Sequence, residues 1–239
     1  PEVLKELGAD AVVPNARKAE LPRVILERFG LPSDPITTPP NEFWGAGERG
    51  LLNSRVRAFL KVQDGCQAGC AYCIIPRLRG KERHRDHREA LAEAEALLRM
   101  GIKEIVLTGV NTGDFGREHG ETFLQLIGEL DRVQGIERFR ISSIEPNLCS
   151  DAVIDFVARS HRFMPHLHMP LQSGSDTILQ RMRRRYDTAL YADRVAHIRR
   201  VMPHAGIGVD VITGTPGETE DEFLKTHAFL RGIDVNYLH

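Results

Sequence analysis

The sequence predicts an α/β fold in which six β/α units form an open, partial (β/α)6 TIM-like barrel. Three observations lead there. From Val56 onward, short strand-like apolar runs alternate with amphipathic helical runs, and parallel strands need crossover connections, usually helices. The strand-like runs end in polar, glycine-bearing loops, where barrels of this kind bind ligands. Six units are too few to close an eight-stranded barrel.

The units follow in order. Arg57–Val62 reads as the first strand, with a cysteine loop at its C-terminal end. Arg88–Met100 is a helix with Leu91, Ala94, Leu97 and Leu98 on one face, stopped by Gly101, since glycine takes a left-handed C-terminal position cheaply. Glu104–Thr108 is the second strand, followed by a helix around Phe123, Leu124, Ile127 and Leu130. Arg138–Ser142 is the third, before a helix over Asp151–Arg159 capped by Ser150. His166–Leu171 is the fourth, with helical segments at Ser175–Met182 and Thr188–Val201. Gly206–Ile212 is the fifth, before a helix over Glu220–Arg231, and a sixth begins at Val235.

Upstream, the texture differs. Ala9–Val13 is strand-like, and Glu20–Phe29 has the helical period through Leu21, Val24, Ile25 and Phe29. Leu31–Gly50 is rich in Pro and Gly and reads as a linker. The expected division is 1–30, the remnant of an N-terminal α/β domain; 31–52, a linker; and 53–239, the barrel. The chain starts at Pro1 and stops in an apolar run at His239, so both ends read as cut from a longer protein.

Composition excludes several classes. At 41% hydrophobic and 27% charged residues the chain has the make-up of a globular protein. No apolar run approaches the roughly 20 residues of a membrane span. The formal net charge of −1 is not that of a polycation built for nucleic acid, so any such contact must come from local patches. Four cysteines in 239 residues, with no secretory leader, point to a reducing, cytoplasmic setting rather than a disulfide scaffold.

Three of those cysteines carry the strongest signal. Cys66, Cys70 and Cys73 stand as C-x3-C-x2-C within Asp64-Gly-Cys-Gln-Ala-Gly-Cys-Ala-Tyr-Cys. A cubic iron–sulfur cluster takes four ligands, so three thiolates leave one iron open to a small molecule. A closed zinc site wants a fourth Cys or His; His84 and His87 follow closely enough to offer one. Cys149 lies far along the chain in a helix-like context and is a poor candidate.

Polar groups also gather at the other strand ends. They are Thr108–Asp114, Ser142–Pro146, His168–Ser175 and Thr213–Thr219. One such turn is commonly structural, but five around one mouth point to a site. Two basic runs flank it: Arg77, Arg79, Lys81, Arg83, Arg85 and Arg88, then Arg181, Arg183, Arg184 and Arg185. They are candidates for RNA phosphates.

The cysteine spacing, with aromatic Tyr72 before the last cysteine, resembles the signature of radical S-adenosylmethionine enzymes. Arg79-Gly80, Ser142–Pro146, His168–Ser175 and Asp210–Glu218 are similar to the methylthiotransferase branch. Within it, Gly109–Gly116 and Met182–Tyr186 most resemble the enzyme acting on threonylcarbamoyladenosine in tRNA. The likeness runs from about Val56 to the end of the chain.

The resemblance implies Cys66, Cys70 and Cys73 as ligands of a 4Fe–4S cluster with one open iron, and S-adenosylmethionine as its partner. Its sulfonium would be cleaved by an electron passed through the cluster, and the resulting 5′-deoxyadenosyl radical would take a hydrogen from the substrate adenine, where a methylthio group enters. The implied cofactor-binding positions are Tyr72; Gly109 and Asn111 at the methionine end; Ser143 and Glu145 for the ribose hydroxyls or the methionine amine; Gln172, with Ser173, facing the same cavity; and Ile212 and Gly214 near the adenine. The implied partners are the anticodon loop of tRNA and an electron donor such as flavodoxin or ferredoxin, without a membrane. Methylthiotransferases also carry a second 4Fe–4S cluster on three N-terminal cysteines, expected here only in the full-length protein, because no cysteine precedes Cys66. Relatives acting on isopentenyladenosine in tRNA or on a ribosomal protein remain alternatives, as does a non-catalytic zinc module binding nucleic acid.

Overall fold

A computed structural model describes residues 57–117 and 120–239, and before them 4, 6–14, 17 and 20–30. The principal elements are α1 (Leu21–Phe29), β1 (Arg57–Lys61), β2 (Gln63–Asp64), α2 (Ile75–Arg79), β3 (Arg83–His84), α3 (His87–Arg99), β4 (Glu104–Thr108), α4 (Phe123–Leu130), β5 (Arg138–Ile141), α5 (Asp151–Arg159), β6 (His166–His168), α6 (Asp176–Arg181), α7 (Thr188–Val201), β7 (Gly206–Val209), α8 (Glu220–Gly232) and β8 (Tyr237–Leu238).

Six strands run parallel in chain order. β1, β4 and β5 pair as one sheet, and β6, β7 and β8 as another. The two are joined where Phe139 of β5 bridges Phe163: Phe139 N donates to Arg162 O at 2.8 Å, and Met164 N donates to Phe139 O at 2.9 Å. The result is the expected partial barrel, with β1 and β8 at its two edges.

Alternation along the strands sets the two faces. Leu60, Ile105, Leu107, Phe139, Ile141, Leu167, Ile207 and Val209 are buried towards the helices, each burial stabilising by about 1.5–3 kcal/mol. Against them pack Ala94 and Leu97 of α3, Leu126, Ile127 and Leu130 of α4, Ile154 and Val157 of α5, and Tyr191 and Ile198 of α7. The helices start where side chains take up their free N–H groups: Asp86 before α3, a Thr122–Gln125 capping box before α4, Ser150 before α5 and Asp187 before α7. Gly101 has the expected left-handed conformation, φ 84°.

Two features differ from the sequence reading. Ala9–Val13 forms no strand: its backbone is irregular, Ala11 is exposed, and no described strand pairs with it. The linker at 31–52 lies outside the described residues. The cysteine loop is flanked by a short antiparallel pair, β2 with β3, and by helix α2; runs this short leave no period to read.

That pair fixes the loop. Gly65 (φ 71°) lies against the backbone at Lys81, and a Cβ added there would stand 2.1 Å from Lys81 O. Gly65→Ala is therefore expected to destabilise the protein by about 2 kcal/mol or more, read as a lower urea midpoint at unchanged slope. Across the opposite face of the sheet, Glu104 (7% exposed) accepts from Arg140 Nε at 2.6 Å and Arg138 Nε at 3.1 Å and pairs with Arg57 Nε at 2.8 Å. Burial pushes its carboxyl pKa up, but the hydrogen bonds from Arg140 and Arg138 outweigh that and hold it below the usual value. The stability this contributes is present above the unfolded carboxylate pKa of about 4.3 and fades as pH falls through the lower folded value. Glu104→Gln should cost about 1–2 kcal/mol at neutral pH, the arginines being partly exposed, and should flatten the acid limb of a stability–pH curve.

Candidate cofactor site

Parallel pairing places the C-terminal ends of all six strands on one rim, and the sequence-predicted residues gather there. At its centre is Gln63, fully buried. Its Oε1 accepts from Val110 N and Asn111 N, both at 2.8 Å, and its Nε2 donates to Gly65 O at 2.8 Å. One amide thus ties the cysteine loop to the loop after β4. Beside it Asp64 is ringed by Lys61, Arg79 and Arg83 at 2.8–3.0 Å. Burial works against the Asp64 carboxylate, but these three partners hold its pKa well below the ordinary range.

Cys66, Cys70 and Cys73 are half-buried free thiols on this loop. Cys66 N donates to Gly80 O at 3.3 Å, Cys73 N to Cys70 O at 3.1 Å, and Ala71 N to Met182 O at 3.1 Å. Burial pushes the Cys66 thiol up, and the neighbouring Cys70 and Glu145 add to this. Among the described residues no three His, Cys, Asp or Glu side chains converge closely enough to hold a metal, the cysteine trio included; sites of this kind commonly close as the metal binds. The two histidines offered as zinc ligands have other partners. His84 packs edge-on against Phe115 at 5.0 Å and His87 pairs with Glu121. Cys149 is fully buried with its thiol pushed up to about 12.

The residue that organises the site is Arg184. Its side chain is 4% exposed, and Nη1 donates to Glu145 Oε1 at 3.0 Å and to Cys70 Sγ at 3.1 Å. The guanidinium lies 6.0 Å from the Tyr72 ring centroid and 5.4 Å from that of Tyr186, within reach of cation–π attraction. Cys70, Tyr72 and Glu145 are thereby joined by one cation. Two buried atoms there have no hydrogen-bond partner among the described residues: Arg184 Nε and Asn111 Oδ1. Such atoms cost about 1–3 kcal/mol each unless a bound group satisfies them. A guanidinium donor and an amide acceptor fit the carboxylate and ammonium of an amino acid.

The remaining predicted positions divide. Ser143 Oγ lies 2.8 Å from His168 Nδ1, and His168 Nε2 lies 3.2 Å from Asp210 Oδ1. Gln172 (φ 70°) bridges Val211 beyond the ends of β6 and β7, with Ile212 N donating to Gln172 O at 2.9 Å. Ser173 is buried against Thr226 Oγ1 at 3.0 Å. Gly109 packs on Gln63, while Gly214 lies on an exposed turn where its N–H meets Glu218.

The basic runs divide in the structure. Arg184 faces inward, Arg79 and Arg83 serve Asp64, and Arg85 pairs with Glu93. Arg77, Lys81, Arg88 and Arg183 are exposed. Sequence reasoning gave no role to Gln63, His168 or Tyr186. The adjacent polar pair Gln63-Asp64 at the end of an apolar strand was the available signal for the first.

Comparison with known proteins agrees with this geometry. The sequence pattern of the Radical SAM superfamily matches residues 60–230. A threonylcarbamoyladenosine tRNA methylthiotransferase of Bacillus subtilis is 46% identical over 79% of this chain and 42% of its own length, and one of Aquifex aeolicus is 34% identical over 100% and 59%. A tRNA-2-methylthio-N(6)-dimethylallyladenosine synthase of Streptomyces viridosporus is 43% identical over 72% and 35%. The chain thus covers 35% to 59% of the length of these relatives. In fold it resembles the radical S-adenosylmethionine methyltransferase TsrM of Kitasatospora setae, with TM-score 0.64 and 16% identity over 76% of this chain and 35% of that one. Match and architecture coincide over the barrel: the chain belongs to the radical SAM superfamily, whose cofactors are a 4Fe–4S cluster and S-adenosylmethionine.

Proposed function

We propose that this chain is the catalytic barrel of a tRNA methylthiotransferase that places a methylthio group on C2 of threonylcarbamoyladenosine beside the anticodon. The observation carrying the reading is the 46% identity to a relative of that name, set on a site whose orphaned polar atoms fit S-adenosylmethionine. Cys66, Cys70 and Cys73 hold the cluster by three irons. When bound, the cluster and S-adenosylmethionine together supply a 5′-deoxyadenosyl radical, and the protein's work is to hold and direct it.

Arg184 Nε would take the methionine carboxylate, while its Nη1 steadies both Cys70 and Glu145. Glu145 and Asn111 Oδ1 receive the ammonium. Tyr72 covers the methionine end beside the cysteines, with Gly109 giving close backbone approach. Gln172, Ser143, Ile212 and Gly214 surround the nucleoside end. The partners are the anticodon loop, where the base needs little unpairing, and a flavodoxin- or ferredoxin-type electron donor. Among the described residues no helix is long and apolar enough to cross a membrane, and the reading places the enzyme in the cytoplasm.

The function is tested by mass spectrometry of tRNA nucleosides from a strain lacking the gene. Loss of methylthiolated threonylcarbamoyladenosine is expected; loss of the isopentenyladenosine product instead would transfer the reading to the second kind of relative. The ligand assignment is tested on anaerobically reconstituted protein. Cys66→Ser, Cys70→Ser and Cys73→Ser should each lose the brown colour and most iron and sulfide, while Cys149→Ser keeps them. Arg184→Met and Glu145→Gln should weaken S-adenosylmethionine binding about 10- to 100-fold. Unchanged affinity in both would overturn their roles.

A further inference from the structure

The side of the sheet that the helices do not cover carries a second constellation. Register makes Arg57, Glu104 and Arg138 level with one another, likewise Phe59 with Arg140, and His168 with Gly208 and Tyr237. Two features of this concave face adjoin the cofactor site, to which His168 is tied through Ser143.

The first is a slab of flat rings. Tyr237 lies nearly parallel to His166 (centroids 6.0 Å, 14°) and to His168 (6.3 Å, 10°), with His239 edge-on to His168 and Tyr237. Gly208 makes the room: a Cβ there would stand 2.2 Å from Tyr237 Cζ. The rings are held in place, Tyr237 OH lying 2.8 Å from His166 Nε2, and His168 being fixed through both nitrogens by Ser143 and Asp210. His166 Nδ1 is buried without a partner among the described residues. The second feature is surplus positive charge. Arg57, Arg138 and Arg140 surround Glu104, and Arg138 also lies 3.6 Å from Glu137, so three guanidiniums face two carboxylates; Phe59 stands 57% exposed in register with Arg140.

Fixed aromatic faces beside guanidiniums are what an unpaired base and its phosphates require: the rings stack on the base, and the cations meet the backbone. A neutral apolar substrate would leave the arginines unused, and a peptide would have no need of the slab. We propose that this concave face seats the target nucleobase of the RNA, stacked on the Tyr237–His168 slab, with Arg138 and Arg140 towards the flanking phosphates. The proposal rests on the reading of the chain as an RNA-modifying enzyme and names where that RNA sits. The competing occupant is the adenine of S-adenosylmethionine, and the test separates the two.

The holoprotein is titrated anaerobically with two synthetic anticodon stem-loops, one intact and one with an abasic site at the target position, and separately with S-adenosylmethionine. The wild type should bind the abasic RNA about 5- to 50-fold more weakly. Tyr237→Ala should lose a similar factor on the intact RNA and no longer distinguish the two. Tyr237→Phe, which keeps the ring, should stay within about threefold of wild type, and S-adenosylmethionine affinity should be unchanged in both variants, which also reports an intact cofactor site. Equal binding of both RNAs by the wild type, or undiminished discrimination by Tyr237→Ala, would overturn the slab and leave the RNA-enzyme reading standing. A fall in S-adenosylmethionine affinity with RNA binding intact would give the slab to the cofactor. Failure of the wild type to bind either RNA would remove the reading itself, and the proposal with it.

Discussion

Parallel strand pairing is the constraint from which the site follows. Because six strands run the same way in chain order, every β-to-α connection emerges on one rim, and residues more than a hundred positions apart become neighbours. Cys70 meets Arg184, 114 positions away, and over a shorter span of 48 positions Gln63 holds the backbone of Asn111. An antiparallel arrangement would send alternate loops to opposite ends and scatter the same residues. The energy that keeps the rim in place comes from the helix-facing half of each strand, where the apolar residues are fully buried. The other half of each strand is thereby left for polar work.

Within that frame, Arg184 carries the electrostatics of the site. A guanidinium this buried is costly unless paired, and it is paired on one side with Glu145 and Cys70, while Nε has no hydrogen-bond partner among the described residues. The arrangement is stable enough to fold and incomplete enough to bind. Gln63 performs the analogous task for the backbone: by accepting from two consecutive amides it presets the loop after β4 before any ligand arrives, so less ordering entropy is lost on binding.

Much of this was legible in the sequence, for physical reasons. The β/α alternation and helix boundaries were readable because the amphipathic period and the capping residues both mark them; Ser150 and Gly101 act as their residue types suggest. The cysteine spacing stands out in the sequence because a cluster held from one loop would require those residue types close together. Arg184 was misread because an arginine's sequence neighbours, Arg183 and Arg185, say nothing of its direction: they are exposed and it is not. Ala9–Val13 shows the converse error, a β-prone run with no pairing strand among the described residues, since strand propensity acts only through pairing. The concave slab was invisible for a third reason. Tyr237 and His166 are brought together by register, which a lone sequence does not display.

The central claim is that three thiolates leave one corner of a cubic cluster free for the amino-acid end of S-adenosylmethionine. Electron–nuclear double resonance on the reduced holoprotein, with S-adenosylmethionine carrying nitrogen-15 in its amine and oxygen-17 in its carboxylate, examines that corner directly. The account predicts hyperfine coupling of both labels to the cluster. Absence of both couplings, with a protein side chain seen on the fourth iron while S-adenosylmethionine is bound, would contradict it.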